Sequence, residues 1–149
     1  MQGFFGYYDK SPWSYDSKYY LLHIIDKKQQ DKVKIEVYDC ESGELNIRGD
    51  TPAFDFQQGS MLKWLNQKSY HIIYNTVEDG NLAAKIKDAV SGKKSRTIPV
   101  PIQTVNFDGT EALTLNYKRL DRIRPEYGYS VDVKCFHLIC LMKKTGFGG

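Results

Sequence analysis

Residues 38–44, YDCESGE, and residues 87–93, KDAVSGK, decide the fold reading. Each stretch carries Asp at its second position and Ser-Gly at its fifth and sixth, and Gly43 and Gly92 stand 49 residues apart. Outside these turns the match continues. Trp13 and Trp64 are 51 residues apart, and each is followed by a polar turn and an apolar strand, SYDSKYYLLH in one round and LNQKSYHIIYN in the other. A third round, VNFDGTEALTLN, puts Val105 at the tryptophan position, 41 residues beyond Trp64. Several short strands recurring every 40 to 50 residues are the pattern of blade-like repeats, in which each unit buries its faces against its neighbours.

Within each round the residues read as strands. KYYLLHII at 18–25 is aromatic and β-branched and follows the turn-forming SPWSYDS. Val33, Ile35 and Val37 alternate with Lys34, Glu36 and Tyr38, a period of two that sends the aliphatic side chains to one sheet face. LNIRG at 45–49 supplies a short third strand, and AFDFQQGSMLKWL followed by YHIIYNTV opens the second round. LAAKIKDA at 82–89 has helix-favouring residues, yet its position after the tight EDGN turn predicts the hairpin partner of 70–77. Pro99 and Pro101 confine the start of the third round to an edge or connector. The expectation is an all-β chain: a partial β-propeller of about three four-stranded antiparallel blades, near 5–50, 53–98 and 99–129, with an atypical tail at 130–149. The alternative is a β-sandwich or barrel whose hairpins share only ordinary turn chemistry.

Composition agrees with a β-rich chain. Aromatics reach 13%, and they favour strands. The net charge of +3 is spread among interleaved acids, which predicts no nucleic-acid partner. No apolar run approaches the roughly 20 residues of a membrane helix, and MQGFFGYYDKSPW has no secretory pattern. These features predict a soluble protein, cytoplasmic sooner than secreted, with no membrane partner. Cys40, Cys135 and Cys140 lack zinc spacing and read as reduced, packed thiols.

Asp16-Ser17-Lys18-Tyr19-Tyr20-Leu21-Leu22 and Phe107-Asp108-Gly109-Thr110-Glu111-Ala112-Leu113 resemble the strand-turn-strand of TolB-like propellers, and Tyr38-Asp39 through Gly43-Glu44 resembles a turn of the same blades. The span 3–129, with GYYDKSPW, FDFQQGSMLKWL and RIRPEYGY, is similar to oligogalacturonate-lyase-like bacterial propellers of largely unknown function. That resemblance implies six or seven blades, of which about three are here. Lyase activity in that family would imply a metal held by several His and a Gln. His23, His71 and His137 have no such spacing, so no catalytic residue, metal or cofactor is carried over.

Three segments carry candidate binding chemistry. GYYDKSPW places Tyr8, Asp9 and Lys10 beside further aromatics, a loop suited to stacking a sugar ring and bonding its hydroxyls; the plain alternative is an Asp-Lys surface pair. Gln57 and Gln58 could read hydroxyls or satisfy their own loop. Lys118, Arg119, Arg122 and Arg124, grouped with Tyr127 and Tyr129, form the one local concentration of positive charge, suited to a carboxylate or phosphate, or else a solvated loop paired with Asp121 and Glu126. No nucleophile elbow, Walker loop or zinc pattern is visible, and GFGG lacks the strand and helix of a phosphate loop. The resulting expectation is a glycan-associated binding or scaffold module whose ligand is an acidic saccharide or sugar phosphate. The rivals are part of a polysaccharide lyase or hydrolase, and a protein-interaction platform. Uncovered end sheets would also favour self-association, and CFHLICLM in the tail would be an aggregation hazard if exposed.

Overall fold

A computed structural model describes residues 1–133 and 140–146; Cys135 and His137, and the last three residues of the chain, lie outside the described residues. Three antiparallel sheets follow one another along the chain. The first is the meander β1 (Gln2–Phe4), β2 (Tyr19–Asp26), β3 (Gln29–Asp39) and β4 (Leu45–Thr51). The second repeats it with β5 (Lys63–Trp64), β6 (His71–Glu78), β7 (Asn81–Asp88) and β8 (Lys94–Ile98). In the third, β10 (Glu111–Leu115) lies between β9 (Thr104–Val105) and β11 (Cys140–Lys144). The chain is all-β in class, and among the described residues its sheets stay separate and none closes on itself.

The matching turns adopt one geometry. In YDCESGE the Asp39 carboxylate accepts the N–H groups of Glu41 and Ser42 at 2.9 and 3.2 Å, and Gly43 donates to the Asp39 carbonyl at 2.8 Å. In KDAVSGK Asp88 accepts from Val90 and Ser91 at 2.9 and 2.8 Å, and Gly92 donates to the Asp88 carbonyl at 2.8 Å. Both glycines have φ 76°, a left-handed conformation open to glycine at little cost. The tryptophan positions also correspond: Trp13 bridges to Tyr20, Trp64 pairs with Ile72, and Val105 pairs with Ala112. LAAKIKDA is strand, since β7 pairs with β6 from His71↔Asp88 to Glu78↔Asn81.

Burial separates the sheets. On β3 the aliphatic residues are buried while Lys34 and Tyr38 are exposed, whereas β6 is buried without interruption from Ile72 to Thr76. The second sheet is therefore covered on both faces, and its apolar run follows from that. One face packs Leu62, Trp64, Ile72 and Tyr74 against Leu21, Ile35 and Val37 of the first sheet. The other packs Ile73, Ala84, Ile86 and Ile98 against Val105, Ala112, Tyr117 and Tyr129.

A buried polar chain ties the layers together. The Thr51 hydroxyl donates to the Asn75 carbonyl at 2.8 Å. The Asn75 amide donates to the Ile102 carbonyl and the Tyr129 hydroxyl, both at 2.8 Å, and accepts the Ile102 N–H at 2.7 Å. Tyr117 stacks on Tyr129 at 4.4 Å and donates to Gln103 Oε1 at 2.6 Å.

The stretch KRLDRIRPEYGY begins as a helix, α1 (Tyr117–Ile123), where sequence reading offered a charged loop. Asn116 caps it, its side-chain oxygen accepting the Arg119 N–H at 2.9 Å. Tyr117 is buried and Leu120 packs on the core, so one face of this basic segment is anchored. β11 comes from the stretch that breaks the repeat pattern in sequence and reaches β10 from beyond α1. No helix among the described residues is long and apolar enough to cross a membrane.

Candidate functional site

The turns that enter the three sheets converge on a cleft of about 150 Å³. The first round contributes Asp9 and Lys10, the second Lys63, Trp64, Asn66 and Gln67, and the third Asn106 and Phe107. These residues are distant in sequence, and the stacking of equivalent hairpins brings them together. Each turn is locally braced: Asn66 Oδ1 accepts the Lys68 N–H at 2.9 Å, and Asn106 Oδ1 accepts the N–H groups of Thr110 and Glu111, both at 2.9 Å. Trp64 donates its indole N–H to the Pro12 carbonyl at 2.8 Å, which pins the loop carrying Asp9 and Lys10 to the second sheet.

The electrostatics of this cleft are uneven. Lys10 is nearly covered, with 6% of its side chain exposed, and its ammonium pairs with Asp9 at 2.9 Å. Lys63 has no carboxylate within ion-pair distance among the described residues. Burial first, and the nearby Lys10 charge second, hold its amine below the usual lysine range, while Asp9 offsets part of this. Phe107 is 75% exposed at the rim. The site thus offers two ammonium groups against one carboxylate, three side-chain amides and an aromatic edge.

A second and larger cavity, about 460 Å³, lies between the 52–57 turn, the start of β3 and the segment after α1. Gln57 lines it together with Pro125, Glu126 and Gly128, which joins one sequence candidate to the neighbourhood of another. Asp55 shapes the turn: its Oδ1 accepts the N–H groups of Gln57 and Gln58 at 2.8 and 2.6 Å. Behind this turn is His23, fully buried and stacked on Phe4 at 5.0 Å. Its Nε2 accepts the Ser60 N–H at 3.1 Å and lies 2.8 Å from the Ser60 hydroxyl. A side chain on Gly59, φ 64°, would collide with the imidazole. Burial pushes the His23 pKa down to about 4, so the ring is neutral at pH 7.

The remaining candidates divide. Tyr8 is exposed and packs against Tyr7 at 4.3 Å. Tyr8 beside it raises the Tyr7 phenol above its ordinary range. Arg124 pairs with Glu126 and sits over the Tyr127 ring at 5.0 Å, the internal pairing that sequence reading held as the alternative. Arg119 and Arg122 are exposed on α1 and line neither cavity. Gln58 lines neither as well and serves the Asp55 turn through its N–H. Sequence reading missed Lys63, Asn66, Asn106, Phe107 and Asp55. The first four were detectable from the repeat, since each lies in or beside the turn equivalent to the one that follows Trp13. His71 Nδ1 lies 3.1 Å from Ser69 Oγ, and no group of three or more His, Cys, Asp or Glu suited to a metal is present among the described residues. Family models, curated proteins and solved structures give no match to the chain, so the TolB-like resemblance remains an expectation and the functional reading rests on geometry.

Proposed function

We propose that the chain is a saccharide-binding module, three consecutive blades of a propeller-like stack, that holds an acidic sugar in the cleft between Lys10 and Lys63. The supporting observation is the uncompensated amine: Lys63 is largely buried beside a second lysine, and the nearby carboxylate, Asp9, is paired with that other lysine. Desolvating an ammonium without a counter-charge is unfavourable, and an entering carboxylate or phosphate offsets that cost. Asn66, Gln67 and Asn106 supply donors and acceptors for hydroxyls, and Phe107 an apolar face for a ring. Calorimetric titration with a hexuronate and with the matching neutral hexose tests this. The acid binds and the neutral sugar binds at least about tenfold more weakly, the ~1.4 kcal/mol expected of one charge-assisted hydrogen bond. Lys63→Met, which keeps the apolar stem, removes the preference. Equal binding of both sugars, or none of either, overturns the proposal.

The outer face of the first sheet favours a second reading, association between copies. Trp13, Leu45 and Ile47 are 46%, 52% and 57% exposed there. The equivalent Trp64 is covered by the preceding sheet, so the cover that fits Trp13 is another sheet of the same kind. The third sheet of a second copy, whose Leu113 is also exposed, offers one in a head-to-tail contact.

A further inference from the structure

The larger cavity has the opposite electrostatic character to the lysine cleft. Its lining includes three carboxylates, Asp31, Asp55 and Glu126, and no lysine or arginine. Glu126 is engaged by Arg124, while Asp31 and Asp55 are in the lining without an ion-pair partner among the described residues. Phe54 and Phe56 meet edge to face at 5.6 Å on one wall, and Phe56 is 65% exposed. Its volume lies in the range of about 300–1,000 Å³ common to small-molecule sites.

Asp55 supplies the decisive observation. It is 8% exposed, and while Oδ1 takes two backbone N–H groups, Oδ2 is buried with no hydrogen-bond partner. A buried carboxylate oxygen without a donor is costly, and burial accordingly raises the carboxyl above the usual range. A donor brought by a ligand would relieve that cost. Positive charge suits the cavity because its unpaired groups are acids, and an aliphatic stem suits the two phenyl rings, which also attract a cation to their faces.

We propose that this cavity is a site for an organic cation, a primary ammonium or guanidinium on a short aliphatic stem, with its charged head at Asp55 and Asp31 and its stem against Phe54 and Phe56. The same chemistry can come from a free amine or from a Lys or Arg side chain of a partner protein.

Titrations followed by amide chemical shifts, with n-pentylammonium, N-acetyl-lysine methylamide, n-pentanol and a methyl hexoside, test the assignment. Both cations bind saturably and shift residues 52–57 and 125–130, and pentanol binds at least about tenfold more weakly, the loss expected for removing the charge. Asp55→Asn and Phe56→Ala weaken the cations, and Lys63→Met leaves them unchanged, which separates this site from the lysine cleft. Should Asp55→Asn fail to fold, Asp31→Asn at an exposed position gives the same reading. Tighter binding of the lysine derivative than of the alkylammonium identifies a protein side chain as the natural occupant, and equal binding identifies a free amine. Absence of cation binding, equal binding of pentanol, or preference for the methyl hexoside overturns the proposal.

Discussion

Trp13 and Trp64 occupy the same position in successive repeats, yet one is 46% exposed and the other 4%. Trp64 ends the edge strand β5 opposite Ile72, and Trp13, outside any strand, forms an isolated bridge to Tyr20. The difference lies in their neighbours. Trp64 packs between the first and second sheets, while Trp13 meets Tyr20 edge to face at 4.8 Å and stays half exposed. Equivalent side chains therefore carry different energies according to whether a sheet precedes them. In a stack of repeats the interfaces between units hold much of the stability.

The largest expected effect sharpens this contrast. Trp64→Ala empties a buried site and removes the bond to the Pro12 carbonyl, and should cost about 3–5 kcal/mol in urea unfolding. Trp13→Ala, measured at dilution, should cost less than about 1 kcal/mol. Similar losses for the two would break the comparison.

Asn75→Ala comes next. It lies in the sheet covered on both faces and leaves the Ile102 N–H and the Tyr129 hydroxyl without their shared partner. A loss of roughly 2–4 kcal/mol is expected, and hydrogen exchange should show the second and third sheets loosening together. Exchange confined to residues 70–80 would mean that the network does not couple them.

His23 tests the interface of the first sheet with the 55–60 turn. Its folded pKa is depressed from 6.5 to about 4, so the unfolded chain takes up the proton first on acidification. Its contribution is complete above about pH 6.5 and is lost as pH falls toward 4, by up to about 3 kcal/mol for a shift of this size. Asp55 acts in the opposite sense, because its raised carboxyl favours the folded state at lower pH. Comparing unfolding free energies at pH 7 and pH 5 for the parent chain and His23→Asn isolates the histidine. An identical pH dependence in both would refute the neutral, buried assignment.

Much of the local structure was legible because short-range chemistry specified it. The Asp-x-x-Ser-Gly turns were readable because an Asp side chain can bond the next backbone N–H groups and a glycine can take positive φ. Alternation on β3 marked one buried face, and the denser run on β6 reflected two. α1 escaped because its charged residues masked the Asn116 cap and the buried Tyr117. β11 escaped because its partner β10 lies on the far side of that helix. Of the candidate sites, Asp9, Lys10 and Gln57 were accessible as local motifs. Lys63, Asn106 and Phe107 join Lys10 only through the stacking of three hairpins, a long-range consequence that no single window of sequence displays. Asp55 was hidden because its significance lies in an oxygen that finds no partner.

Three antiparallel sheets packed in succession, with Trp13, Leu45 and Ile47 exposed on the outer face of the first, predict association between copies. Size-exclusion chromatography with light scattering, on the parent chain and on Trp13→Glu with Ile47→Lys, tests it most directly. The account predicts a parent mass above that of one chain that falls toward the single-chain mass in the double variant, with its circular dichroism unchanged. A monodisperse single-chain mass for the parent at high concentration would contradict it.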